Sequence, residues 1–431
     1  MVFLALFSPF SHPHITRQLD SLGIAARYWL RWTATEETAF ALLPSLLQAG
    51  DHLGIHATEF PLIYVLMAPL FSLAAPFGVI ASNFFFLSLS LFATYGCYLT
   101  YKKRSDFLSA DLAKVFMGIM LFGVGAQYFF RAMPDYLSFI LALWGMGFVY
   151  AENKWVRGTL LLSLGLLTKP TAVIVAPVAL LMDRKSFWRM VKVFILPTVL
   201  TLIYYTWGTK NLNFLSDIPR YFYSDFRNPL FQLYEFFANI QKFPRLLLTN
   251  IFQFYTFIPL IIFLIFSPKN KRKFRMPLLV LGIQVLMAAG LDGNHFYIHD
   301  YYIIASSFTV SYLIVLLLGE LNQKKAFFVL LLVFIGTLEK GFYATRKIFD
   351  FENQLVQIFG ISEYLGSERK IRSSEMFFQH TGSYLQRTYN STSARFGVYH
   401  RKKDKLPKGL SPVFTTRDYN IYDFNPDASR E

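Results

Sequence analysis

The chain has 431 residues, 54% hydrophobic and only 16% charged, against roughly 25% charged in soluble domains, which excludes an ordinary water-soluble globular protein. The net charge of +15 would suit nucleic acid if the basic residues lined one groove. Most of them instead form short clusters between apolar runs, the pattern of membrane-flanking charge, so nucleic acid is excluded as a partner. A single cysteine, Cys97, excludes an intramolecular disulfide.

In chain order, residues 1–10 are apolar but too short to span, and they lack a basic start and a small-residue cleavage site. They read as the remnant of a first transmembrane helix. Residues 11–77 read as a first outer loop. Its apolar stretch from Phe60 to Pro76 tempts one to see a span, but a crossing there would invert every later loop, so it is expected as an interfacial helix begun after Pro61. Residues 78–342 then read as a transmembrane helix bundle. Its apolar runs are Val79 to Thr100, Leu112 to Phe130, Tyr136 to Tyr150, Val191 to Trp207, Leu247 to Phe266, Pro277 to Leu291, Tyr301 to Leu318 and Ala326 to Phe342. Membrane strands would show alternating polarity over about ten residues, and these runs do not. The fold class expected is therefore an all-α polytopic membrane protein.

The basic clusters fix the orientation expected by the positive-inside rule. Lys102 to Arg104, Lys154 with Arg157, Arg184 to Arg189, Lys269 to Arg275, and Lys324 with Lys325 should all be cytoplasmic. The stretch from Gly158 to Met182 has basic residues at both ends and is interrupted by Thr168, Lys169 and Pro170. Both ends on one side require an even number of passes, so two short helices should meet at Lys169 near the outer face. Residues 343–431 are polar and basic without strong periodicity, and read as an extracytoplasmic tail, either a small domain or partly disordered.

Several polar residues fall together on the expected outer side. Asp20, close to Arg17, reads either as a helix cap or Arg17 partner, or as a carboxylate general base at the membrane surface. Glu59 reads as a solvated loop glutamate, or as a carboxylate that binds a cation or orients an acceptor hydroxyl. Arg131 and Asp135 read as a local ion pair beside a proline-started helix, or as a guanidinium for phosphate with Asp135 orienting it. Lys169, between two apolar half-spans, needs an anion or water. His299 with Asp300 reads as a phosphate or acceptor contact, and Tyr301 and Tyr302 as ordinary interfacial tyrosines. No Walker loop or dinucleotide fingerprint is present.

Four pieces in order resemble the GT-C glycosyltransferases, family-39-like relatives of protein O-mannosyltransferases and lipid A aminoarabinose transferases. They are His12-Pro13 through Arg17-Gln18-Leu19-Asp20-Ser21, Glu59-Phe60-Pro61, Leu167-Thr168-Lys169-Pro170 and His299-Asp300-Tyr301-Tyr302. The resemblance implies a multi-pass enzyme, expected in a bacterial inner membrane, that moves sugar from a polyprenyl-phosphate carrier to a lipid, glycan or protein acceptor on the outer side. It implies Asp20 as the catalytic residue, Glu59 as an acceptor or metal contact, Lys169, Arg131 and His299 on the donor phosphate, and Arg17, Asp135, Asp300, Tyr301 and Tyr302 in support. The residue after Asp20 is Ser21 rather than a second acid, and no histidine lies from Gly208 to Pro244, so a divalent metal stays an open cofactor. A lipid-linked substrate transporter or flippase is the rival reading.

Overall fold

The computed structural model describes residues 21–22, 24–25, 28–29, 32–33, 60–73, 77–103, 110–121, 128, 133–182, 187–208, 229–246, 271–293, 300–331, 335, 357, 360–361, 364–365, 370–372, 389–390, 395–402 and 404–424. The chain divides into two compact units. One comprises Met1–Phe84, Thr206–Ser224 and Tyr343–Glu431; the other comprises Phe85–Tyr205 and Asp225–Phe342.

The elements are helix α1 (Leu62–Met67), running into a 3-10 turn Ala68–Ser72, then α2 (Phe77–Lys102), α3 (Leu112–Leu121), α4 (Pro134–Tyr150) and α5 (Trp155–Thr168). A 3-10 stretch Pro170–Val178 leads into α6 (Ala179–Met182), followed by α7 (Phe187–Leu202), which loosens into a π-helical turn Ile203–Gly208. The bundle continues with α8 (Pro229–Ala238), a 3-10 turn Ile240–Lys242, α9 (Phe243–Leu246), α10 (Lys271–Asp292), a 3-10 stretch Asp300–Ser306 and α11 (Ser307–Glu320). Five short strands close the chain: β1 (Lys370–Arg372), β2 (Tyr389–Asn390), β3 (Phe396–His400), β4 (Phe414–Thr415) and β5 (Tyr419–Asp423).

Among the described residues three helices are long and apolar enough to cross a membrane, at Ile80–Lys102, Trp188–Tyr205 and Arg272–Leu291. They expose Phe92, Ile195, Leu196 and Leu279, side chains that water would not tolerate as a continuous face but lipid does. The apolar stretch after Pro61 is helical over only Leu62–Ser72, too short to cross alone. The expected span at 247–266 lies outside the described residues.

The core of the helical unit is the pair α4 and α5. Gly145, Gly158 and Gly165 let the two backbones touch: a Cβ on Gly145 would lie 2.7 Å from the Gly158 carbonyl oxygen, and one on Gly165 would lie 2.8 Å from that of Ser138. Small residues at such crossings are how helices pack when lipid supplies no hydrophobic drive between them. The contacts also set direction. Gly145 meets Gly158 and Ser138 meets Gly165, so the helices are antiparallel. Helices α2 and α3 meet α11 through a three-ring cluster: Tyr101, Phe116 and Phe308 have centroids 5.7 to 5.9 Å apart.

Helix α5 stops at Lys169 for a reason written in the next residue. Proline disfavours helical backbone in the residue before it, and Lys169 is extended, with φ −156° and ψ 122°. The chain then returns. Helix α7 lies parallel to α5, because Arg189 near its start donates to the Val149 carbonyl (2.8 Å) and Asn153 (3.2 Å), while Tyr205 beyond its end donates to the Leu167 carbonyl (2.8 Å). The residues between must therefore run back along α5, and Pro170 to Met182 do so. The two apolar halves expected to meet at Lys169 form a hairpin there, with the returning half chiefly 3-10 helix. Pro177 inside it supplies no N–H, which would otherwise meet the Ile174 carbonyl.

The tail corrects the all-α expectation. Residues 370–423 form a five-stranded mixed sheet in the order β2-β1-β3-β5-β4, parallel where β1 meets β2 and β3, antiparallel where β5 meets β3 and β4. Its core is Ile361, Leu365, Ile371, Val398, Tyr419 and Ile421. Arg395 clamps both carboxylate oxygens of Asp423 (Nη2–H to Oδ2 2.9 Å, Nε–H to Oδ1 3.2 Å), and Gln357 ties the β4–β5 turn by donating to Asp418 (2.8 Å) and accepting from Thr416 (2.9 Å). Strands of two to five residues are too short for a period-2 pattern to stand out.

Candidate functional site

At the Lys169 end of the α4–α5 pair, the structure brings two of the sequence-derived candidates into direct contact. Lys169 and Asp135 form an ion pair, with Lys169 4% and Asp135 0% exposed. Pro134 starts α4 and places Asp135 in its first turn, where the helix dipole favours negative charge. Asp135 thus has a partner 34 positions along the chain, because the antiparallel α4–α5 register delivers Lys169 to it. Arg131 itself lies outside the described residues, as do Arg17, Asp20, Glu59 and His299.

The layer around this pair is built from capped breaks. Tyr205 donates to the Leu167 carbonyl, one of the acceptors that the end of α5 leaves without an intrahelical donor. Gln284, fully buried on α10, donates to the Ile174 carbonyl at 3.0 Å and to the Ala305 carbonyl at 3.2 Å. The first of these is the carbonyl that Pro177 deprives of its donor. One amide therefore ties the returning 3-10 stretch to the 3-10 stretch that carries Asp300, Tyr301 and Tyr302. Tyr302 is half-buried; Asp300 and Tyr301 are described by their backbone alone. Gln284 was not among the sequence candidates, although an amide inside the apolar run Pro277 to Leu291 is the signal that marks it. On the other flank of α4, Tyr136 shares a 3.0 Å hydrogen bond with Thr94 of α2. Thr94 uses its own proton on the Ser90 carbonyl (2.6 Å), so Tyr136 is the donor.

Beside the returning stretch lies an open apolar groove of about 350 Å³, lined by Val173, Ala176, Phe194, Ile195 and Thr198 among others, with almost no polar surface. Its walls are the 3-10 stretch and α7.

The opposite end of the same helices is chemically different. Glu152 accepts from Lys103 (2.7 Å) and pairs with Lys154, and Asn153 adopts the left-handed conformation that asparagine tolerates (φ 57°). Partial burial would raise the Glu152 carboxyl, but hydrogen bonds from the two lysines outweigh it and hold the group below the usual glutamate value. Arg189 covers Tyr150 and Trp155, its guanidinium carbon 4.9 and 5.4 Å from the ring centres. Three of the basic clusters read from the sequence thus gather at one end of the unit. Among the described residues no group of three His, Cys, Asp or Glu side chains could hold a metal.

Over nearly its whole length this chain has a fold similar to that of a solved protein. The particular protein it resembles is ArnT from Cupriavidus metallidurans. The structure of ArnT bound to undecaprenyl phosphate matches with TM-score 0.55 at 12% identity, over 98% of this chain and 95% of that one. The apo structure matches with TM-score 0.53 at 11% identity, over 98% and 96%. At this identity the likeness establishes the fold. No protein-family model and no curated protein matches the sequence.

Proposed function

We propose that this protein is a membrane glycosyltransferase that takes a sugar from a polyprenyl-phosphate carrier and gives it to an acceptor on the extracytoplasmic side. The observation that carries this reading is the match over nearly the whole chain to a structure solved with undecaprenyl phosphate bound. The apolar groove along the returning stretch supports it, since a prenyl chain could lie there while its phosphate stays near the membrane surface. The gathering of Lys103, Lys154 and Arg189 at one end supports a cytoplasmic assignment for that end and an outer one for Lys169.

The reaction is an in-line displacement with inversion at the anomeric carbon. Asp20 takes the proton of the acceptor hydroxyl as its oxygen attacks, and the carrier phosphate leaves with the bond electrons. Arg131 and His299 receive the developing phosphate charge. Lys169, positioned by its pair with Asp135, adds positive charge beside the same anion. Glu59 orients the acceptor, or binds a divalent cation if one takes part. Arg17, Asp300, Tyr301 and Tyr302 act in support.

Asp20→Asn tests the reading. In membranes supplied with a polyprenyl-phosphate sugar, the variant should insert normally while transfer falls roughly 10²- to 10⁴-fold, the usual contribution of a general base. Full activity would remove Asp20 from the role. Lipid-linked substrate crossing the bilayer with no sugar transferred by the unaltered protein would replace the transferase with a transporter.

A further inference from the structure

The tail sheet carries a loop that neither its own core nor the proposed reaction uses. Residues 401–413 join β3 to β4 and read Arg-Lys-Lys-Asp-Lys-Leu-Pro-Lys-Gly-Leu-Ser-Pro-Val. Both ends are pinned to the sheet region. The Arg401 N–H donates to the Asp418 carbonyl (2.8 Å) and the Val413 N–H to the Ile421 carbonyl (2.8 Å). The single acid, Asp404, is turned inward, where its carboxylate accepts the His400 backbone N–H at 2.7 Å. Its charge is held inside the turn, which leaves the lysines around it with no acid on the loop's outer side.

At the tip, Gly409 has φ +82°, a conformation that strains any residue with a Cβ, and nothing lies within 4 Å of where a Cβ would be. The turn it makes projects into open space. Around it Arg401, Lys402, Lys405 and Lys408 are exposed, and so are Leu406 (39%), Leu410 (36%) and Val413 (46%). The sheet core is already closed by Ile371, Val398, Tyr419 and Ile421, so these three apolar side chains are not left over from packing.

Cations alone would suit any polyanion in solution. Interleaved cations and aliphatic side chains on a pinned, projecting turn suit a surface that is anionic outside and apolar a few ångströms deeper. An anionic bilayer is such a surface, and a chain with membrane-spanning helices always has one within reach. We propose that the loop 401–413 docks onto anionic phospholipid headgroups, with Leu406 and Leu410 entering the interface and Lys402, Lys405 and Lys408 pairing with lipid phosphates. The contact tethers the tail sheet to the membrane surface independently of the transmembrane helices.

The experiment uses the full chain in lipid nanodiscs. Cys97, the one native cysteine, is buried, so Leu406→Cys labelled with an environment-sensitive fluorophore reports on the loop alone, and Ser411→Cys gives a second position that leaves Leu406 intact. In nanodiscs of phosphatidylcholine with phosphatidylglycerol, the emission should shift to the blue and be quenched by nitroxide-bearing lipid. Both effects should be lost in phosphatidylcholine alone, in high salt, and in the Lys402→Gln, Lys405→Gln, Lys408→Gln triple variant. Equal quenching in both lipid mixtures, or none in either, overturns the proposal. A blue shift produced by a soluble acidic polysaccharide and indifferent to lipid charge also overturns it, in favour of a glycan contact.

Discussion

The two ends of the α4–α5 helix pair handle charge in opposite ways. At one end Glu152 is held by two lysines that are themselves well exposed, and Arg189 adds bonds to a carbonyl and an asparagine. At the other, Lys169 and Asp135 face each other almost completely out of solvent. The exposed end is redundant: losing one cation leaves another, and water screens the rest. At the buried end an ion whose partner is removed stays in a poorly solvated place. The same helices thus combine a forgiving charged rim with a buried ion pair at the Lys169 turn.

The sharpest way to break this contrast is Lys169→Met. Removing one member of a buried pair costs about 3–5 kcal/mol, whereas replacing both with apolar residues of similar volume recovers most of it. Thermal unfolding in detergent should therefore rank Lys169→Met and Asp135→Asn as severe and Asp135→Leu with Lys169→Met as mild. A single variant that loses under about 1 kcal/mol would show that water reaches the pair after all.

An intermediate effect is expected at Gln284, which serves the same end of the bundle without charge. Gln284→Leu leaves the Ile174 and Ala305 carbonyls without their donor, but it also removes an amide oxygen that has no partner. The net loss should be about 0.5–1.5 kcal/mol by the same unfolding measurement. Its telling consequence is local: hydrogen exchange should quicken in the returning stretch Pro170–Val178 and leave α5 protected.

The smallest effect belongs to the exposed end. Glu152→Gln should cost about 0.2–1 kcal/mol and less in high salt. Because the folded-state carboxyl lies below its unfolded value, its stabilisation is complete above the ordinary glutamate range and is lost as the pH falls through the lowered value. Unfolding followed from neutral to acid pH should show that loss in the unaltered protein, and the Gln variant should lack this contribution.

Much of the helical layout was legible because it depends on local quantities. The run expected from Val79 to Thr100 is the helix Phe77–Lys102, and that from Tyr136 to Tyr150 is Pro134–Tyr150. The run beginning at Val191 starts four residues earlier, at Phe187, since the basic flank continues the helix. The break at Lys169 was visible too, in Pro170 and in the matching charges on either side. Less of the site was legible. Asp135 and Lys169 were both candidates, but nothing near either in the chain names the other. Gln284 drew no attention because its partners are carbonyls freed by Pro177 and by the 3-10 stretch before α11. The sheet was hidden by its short strands, whose register partners lie up to 27 residues apart, as Phe396 and Asp423 do.

By itself the sequence determined that this is a helical protein made for a bilayer and that the chain must double back at Lys169. Run length, charge placement and a proline act on neighbouring residues and need no knowledge of the rest of the chain. Tertiary structure alone decided that Lys169 meets Asp135, that Gln284 bridges two irregular stretches, and that the tail closes into a sheet with a basic, apolar tip. Those outcomes follow from which helix lies against which and in what register, and in this protein that is set by glycines close enough for backbones to touch.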